Sequence, residues 1–267
     1  MKNGFFLFKI TKDSMVSTKI AHVQIAIFVV WFAMVLSTLA IQFFYRYVSV
    51  SSIHGLKIFS GKYWILWIII ILSYGVMWST ISLSLSKPYY YFDRDVTPDL
   101  LSFYQLNRSD YTYLGLLLYV VDKKGERSYE WQGVMTLFFH GSLMGFSANC
   151  LTFFGYKTYK NLNHVVDYSE SNALRDLQKQ LFRTLVFQTA IPATFMYFPV
   201  TCMYLAPLFG INIGTMGNLV AVHVAIYPCF EPLVAMYFIK EFRNRILRKL
   251  GVNRYQATVS VQVSNIT

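Results

Sequence analysis

The chain has 267 residues, of which 55% are hydrophobic, 18% aromatic and only 14% charged, a balance that argues against a soluble domain and for one integral membrane domain. Its formal charge of +11 does not indicate nucleic-acid binding, because the Lys and Arg residues stand between apolar runs rather than in a patch interleaved with aromatics. The three cysteines, Cys150, Cys202 and Cys229, all fall inside those runs and lack metal-ligand spacing, so they read as packing residues, with no metal site, cofactor or extracellular disulfide expected.

Residues 1–20 are mixed and basic, with Lys2, Lys9, Lys12 and Lys19. The apolar stretch from Gly4 to Phe8 is too short for a signal-peptide core and has no cleavage site, so the first span must direct insertion itself. That span is predicted at about 21–45. A polar link leads to a second span at about 63–85, whose start carries Lys62, Trp64 and Trp67 in the manner of an interfacial aromatic belt. From 86 to 132 the chain changes character, with 13 charged residues, seven of them acidic. It reads as a partly ordered, water-facing loop. Within it the apolar run from Thr112 to Val121 is too short to cross a bilayer and predicts a strand in a hairpin, with the turn at 123–126. A third span follows at about 134–154. The polar connection after it offers N-caps at Ser169, Glu170, Ser171 and Asn172, and Leu174, Leu177 and Leu181 recur at helical spacing, so the next helix begins in water.

Between Arg183 and Glu231 there is no Lys, Arg, Asp or Glu. This run is too long for one helix, since about 20 apolar residues cross a bilayer. Pro and Gly residues divide it into spans at about 181–209 and 213–239, turning at Gly210-Ile211-Asn212. The tail, 240–267, opens with Phe242, Ile246, Leu247 and Leu250 opposite Lys240, Arg243, Arg248 and Lys249, the pattern of a basic amphipathic helix on the membrane surface. With the N-terminus and the 86–132 loop outside and the tail inside, 14 Lys and Arg residues lie inside against 10 outside. In that orientation Asn107-Arg108-Ser109 is a usable glycosylation sequon, whereas Asn265-Ile266-Thr267 lies in the tail and is discounted.

The spans carry a family resemblance. Leu177-Gln178-Lys179-Gln180-Leu181-Phe182 leading into Leu185–Pro192 resembles the sixth helix of the nematode Str class of serpentine chemoreceptors, and Tyr227-Pro228-Cys229-Phe230-Glu231-Pro232-Leu233 the seventh. Phe59-Ser60-Gly61-Lys62 with Trp67 and Gly75-Val76-Met77-Trp78 resembles the fourth, and Phe44-Tyr45-Arg46-Tyr47 the end of the third. The resemblance implies an all-α integral membrane bundle whose five spans stand for helices three to seven, with the first two absent. It also implies a chemosensory, olfactory-type receptor in the plasma membrane of a sensory-neuron cilium, taking an odorant or other small molecule and signalling to a heterotrimeric G protein. The family usually places Asp where this chain has Glu231.

Given the family, Tyr45, Arg46 and Tyr47 stand where such receptors meet the G protein, against the plainer reading of Arg46 as a snorkelling anchor. A carboxylate at Glu231, in apolar surroundings beside Pro228 and Pro232, is a candidate conformational switch, with Arg46 or Gln188 as partner; the plainer reading is a passive acid. Pro192 and Pro199 would kink span four. Trp78, His140, Tyr204 and His223, in the outer halves of spans, are candidate ligand-pocket residues, though a histidine here also serves to bond a neighbouring helix. No catalytic set or phosphate loop is present, so the chain reads as no enzyme. Rival readings are a transporter or channel subunit, and a truncated receptor that does not signal by itself and needs helices from another receptor chain.

Overall fold

The structure, a computed structural model, describes residues 3–12, 14–51, 54–86, 90–122, 125–168, 172–238 and 240–249. Five helices in it are long and apolar enough to cross a membrane. The first, α1 (Thr18–Ser51), starts where the Ser17 carbonyl accepts the Ala21 N–H at 2.9 Å. Its 34 residues overrun a hydrocarbon core of about 30 Å, since a helix rises about 1.5 Å per residue. A short 3-10 segment (His54–Phe59) and Gly61, in the left-handed region at φ +58°, turn the chain into α2 (Tyr63–Leu85). Trp67 fixes that turn: its indole N–H donates to the Ile58 carbonyl at 2.8 Å, and its ring stacks on Phe59 at 4.7 Å.

Residues 90–122 and 125–129, with the N-terminal strand, form a packed layer over one end of the bundle. It contains a helix, α3 (Tyr90–Tyr104), and four short strands, one of them from the N-terminus. Strand β1 (Gly4–Ile10) runs antiparallel to β2 (Tyr111–Leu117), with Gly4 opposite Leu117 and Ile10 opposite Tyr111. Strand β3 (Tyr119–Val121) pairs with β4 (Arg127–Tyr129) across a turn in which the Gly125 N–H reaches the Asp122 carbonyl at 2.8 Å.

Two expectations are corrected here. The hairpin predicted for 112–121 involves only its last residues, because β2 is buried along its whole length and needs an apolar partner. The run from Phe5 to Phe8 supplies that partner. The loop is also a folded layer with its own core of Val96, Leu100, Leu106, Tyr111, Tyr113 and Leu117. Strand alternation divides β1 between two cores: Phe6 packs on Tyr113 and Phe8 on Tyr104, while Phe5 meets Tyr204 of the bundle edge-on at 4.7 Å. Asp93 clamps the layer, accepting the Tyr113 hydroxyl at 2.5 Å and pairing with Arg108 at 2.8 Å. Burial, then the bond to Asp93, pushes the Tyr113 phenol well above its ordinary range.

The long helix α4 (Trp131–Tyr168) begins directly against this layer. A Cβ on Gly133 would sit 1.8 Å from the Leu117 carbonyl oxygen, so only glycine allows the approach. Next come α5 (Asn172–Pro192), a π turn (Ala193–Tyr197) and α6 (Phe198–Leu205). Pro199 has no N–H to offer the Phe195 carbonyl, and its ring excludes the normal bond, which accounts for the widened turn upstream. A 3-10 turn ends at Gly210, again left-handed at φ +65°. Helix α7 (Gly217–Phe238) then returns, continuous through Pro228 and Pro232, and α8 (Lys240–Lys249) follows.

Within the bundle α1 packs mainly on α2 and α4, and α5 on α7. Leu36, Leu39, Phe43, Trp78, Met196 and Val200 are central to the core. Several polar groups packed into it are hydrogen-bonded to backbone or side chains. The Ser147 hydroxyl donates to the Leu36 carbonyl at 2.7 Å and so accepts from Tyr197 at 2.6 Å, and Tyr74 donates to the Leu143 carbonyl. The side chains of Glu231, Leu174, Leu177, Lys240 and Phe242, and all of Ser169, Glu170, Ser171, Leu250 and the Asn265 sequon, lie outside the described residues.

Candidate functional site

At the sheet end the bundle encloses a cavity of about 530 Å³ roofed by β1. Three of the four predicted pocket residues meet in its wall. The Trp78 and His140 rings stack at 4.3 Å and 6°, and the Tyr204 hydroxyl lies 3.1 Å from His140 Nδ1. Hydrogen-bond accounting assigns the histidine tautomer. Ser82 donates its proton to the Trp78 carbonyl at 3.0 Å, so at 3.3 Å it can only accept from His140 Nε2. Nε2 therefore carries the proton, and Nδ1 accepts from Tyr204. Thr136 donates to the Gln132 carbonyl at 2.8 Å and accepts from Ser86 at 3.4 Å. The hydroxyl and imidazole donors of Ser82, Thr136, His140 and Tyr204 are thus spent within the protein. Among the described residues, no Lys, Arg, Asp or Glu lines the cavity.

His223 stands apart from this wall. Its Nδ1–H donates to the Leu219 carbonyl at 2.6 Å, and its ring lies against Phe195 at 5.7 Å. Sequence reasoning missed Ser82, Thr136 and Phe5. The first two sit four residues from Trp78 and His140, a helical spacing that places them on the same faces. Phe5 was hidden because nothing local pairs the N-terminus with residue 116.

At the opposite end Tyr45, Arg46 and Tyr47 diverge, as consecutive helical residues must. Tyr45 meets Phe59 edge-on at 5.1 Å, and Tyr47 lies 5.6 Å from Phe154. Arg46 turns inward, over the Phe43 ring, and its guanidinium donates to the Gln188 side-chain oxygen. The two residues considered as partners for Glu231 are thus bonded to each other. Pro192 is buried one turn beyond Gln188 and opens the π turn. Phe195 in that turn packs on Phe230 of α7 at 4.8 Å, which brings the irregular part of span four beside Pro228 and Pro232. Asn107 is exposed at the start of a 3-10 turn, where its N–H donates to Asp110 at 2.9 Å. That bond holds the Asp110 carboxyl below its usual range.

A bundle of helices long and apolar enough to cross a membrane defines a multi-pass membrane protein, with a cavity at its sheet end. Residues 1–247 match the family described as serpentine type 7TM GPCR chemoreceptor Str, and the chain belongs to that family. It is 27% identical over 273 aligned residues to serpentine receptor class r-10 of Caenorhabditis briggsae, covering 100% of this chain and 79% of that protein. To the Caenorhabditis elegans protein of the same name it is 28% identical over 256 residues, covering 94% and 75%. To G-protein coupled receptor str-217 of Caenorhabditis elegans it is 27% identical over 190 residues, covering 70% and 54%. No solved structure matches the chain.

Proposed function

We propose that this receptor detects an odorant or similar small molecule in the cavity under β1 and passes a shift of span four to a heterotrimeric G protein at the opposite end. The observation that carries the reading is the cavity itself, apolar, uncharged and closed by the Trp78–His140–Tyr204 wall. Its lining suits a neutral, mainly apolar ligand. The π turn after Pro192 supplies a point of bending between the cavity and Gln188. Breaking the Arg46–Gln188 bond would free the inner half of span four beside Tyr45 and Tyr47, and Glu231 with Pro228 and Pro232 serves as the switch in α7.

In this reading the sheet end is outside and the cell membrane is the plasma membrane, at a sensory cilium as in chemosensory neurons. The pairing of β1 with β2 supports the orientation by keeping the N-terminal strand and the sequon loop on one side.

The test is to express the chain with a heterotrimeric G protein and apply a panel of uncharged volatile compounds, reading separation of the G-protein subunits. A saturable response is expected, abolished by Ala221→Trp, which puts an indole into the cavity at equal surface level. A response indifferent to both Ala221→Trp and Tyr204→Phe removes the cavity from the reading, and ligand-dependent solute flux without G-protein activation favours transport.

A further inference from the structure

Away from the cavity, on the outer surface of the bundle, α4 and α5 enclose a second groove of about 490 Å³. Gly155 and Leu185 form its buried floor, and Tyr156, Tyr159, Val186 and Ala190 its exposed rims. Both helices cross the membrane, so the groove opens to lipid. Lys160 follows Tyr156 by four residues and Arg183 precedes Val186 by three, and both are exposed. Helical spacing therefore sets the two cations on the groove-bearing faces. Because α4 runs away from the sheet and α5 returns toward it, helical spacing sets Lys160 and Arg183 both toward the groove's far end.

An apolar groove ending in two cations restricts its occupant. A bare hydrocarbon chain has no use for Lys160 and Arg183. A second copy of the chain, joined groove to groove about a twofold axis, would bring the same cations against each other. An anionic phospholipid meets every element: an acyl chain lies against Leu185 and Ala190, and the phosphate reaches Lys160 and the guanidinium fork of Arg183. We propose that the α4–α5 groove is a binding site for an anionic phospholipid of the adjoining leaflet, its phosphate held by Lys160 and Arg183. This site does not depend on the odorant cavity or on G-protein coupling.

The test uses the full chain purified from nanodiscs of equal parts dioleoyl-phosphatidylserine and dioleoyl-phosphatidylcholine, with retained lipids counted by native mass spectrometry. Two surface cations at the headgroup level predict about a thirtyfold preference for phosphatidylserine. Lys160→Gln with Arg183→Gln should erase the preference, whereas Lys12→Gln, exposed beside the sheet layer at the other end of the molecule, should leave it intact. Ala190→Phe, which fills the groove, should reduce retention of both lipids. Both cations are exposed, and matched circular dichroism checks that the double variant is folded; if it is not, Lys160→Gln alone is read in the same way. Equal retention of the two lipids, a preference that survives the double variant, or a lipid-free dimer in place of the adduct overturns the proposal.

Discussion

Replacing His140 with Phe tests the polar wall most directly, because it keeps the ring stacked on Trp78 and deletes only the two nitrogens. Tyr204 is then left with a deeply buried hydroxyl that has lost its acceptor. An unpaired buried hydroxyl costs about 1–3 kcal/mol in a protein interior. In a bilayer the unfolded reference also finds partners, and measured interhelical bonds average about 0.6 kcal/mol with a maximum near 1.7. His140→Phe is therefore expected to destabilise the receptor by about 1 kcal/mol. Tyr204→Phe removes donor and hydroxyl together and should cost somewhat less. The decisive quantity is the cycle, since the double variant loses nothing further once the bond is gone. We expect it to be about 1 kcal/mol more stable than the sum of the single effects predicts. Reversible unfolding in mixed micelles of increasing dodecyl sulfate content, followed by circular dichroism, gives all four free energies. Single effects that add to within about 0.3 kcal/mol would show that ring and hydroxyl do not bond.

Other outcomes follow from the same geometry. Expressed in microsomes, the chain should gain a glycan that disappears in Asn107→Gln; no mobility shift, with the 86–132 loop open to protease from the cytosolic side, would reverse the orientation. Gly133→Val should lower folded yield severely, because its Cβ would stand 1.8 Å from the Leu117 carbonyl oxygen, while Gly141→Val, with nothing within 4 Å of its Cβ, should be tolerated; equal yields would refute the close seat of α4 on β2. Gln188→Leu should raise ligand-independent signalling at unchanged surface level by removing the acceptor for Arg46, and Gln188→Glu should suppress it; a basal signal identical in all three would leave the bond without a role. Glu231→Gln should alter signalling and Glu231→Asp should not, and equal behaviour of the two removes that acid from the switch.

The membrane helices were legible because hydrocarbon imposes a single rule, about 20 apolar residues without charge, that is written locally in the chain. The break in span four was legible for a similar reason: Pro192 and Pro199 remove donors wherever they stand, although the choice of a π turn over a simple kink depends on neighbouring helices. The layer over the cavity was not legible in the same way. The partner of Tyr111–Leu117 lies about a hundred residues upstream, and strand pairing at that distance leaves only two apolar stretches that happen to fit. Helix α3 did leave a signal, in Val96, Leu100 and Tyr104 at four-residue spacing, which its many charges obscured. Trp78, His140 and Tyr204 were chosen individually as polar or aromatic groups in apolar spans. Their meeting in one wall depends on the packing of α2, α4 and α6, which no single span encodes.

Among the described residues, three side-chain hydrogen bonds tie span four to the rest of the bundle, at three depths. Tyr204 bonds His140 beyond the π turn, Tyr197 bonds Ser147 within it, and Gln188 bonds Arg46 before it. Helices α1, α2 and α4, by contrast, are joined by bonds that bypass this segment, Ser147 to Leu36 and Tyr74 to Leu143, and by the stacked Trp78 and His140 rings. One part of the molecule is thus cross-braced, and the other is a helix interrupted by a π turn. At about 0.6 kcal/mol for an average bond in a bilayer, the three ties together hold span four by only a few kcal/mol. A ligand shifts an equilibrium by no more than its differential affinity for the two states, and moving a population from 1:99 to 99:1 takes about 5.5 kcal/mol. A small molecule in the cavity can supply a useful part of that only if it acts where the tie is weak and close at hand. In the proposed reading Tyr204 is that place, since its hydroxyl bonds His140 in the cavity wall while its backbone lies on α6, beyond the π turn.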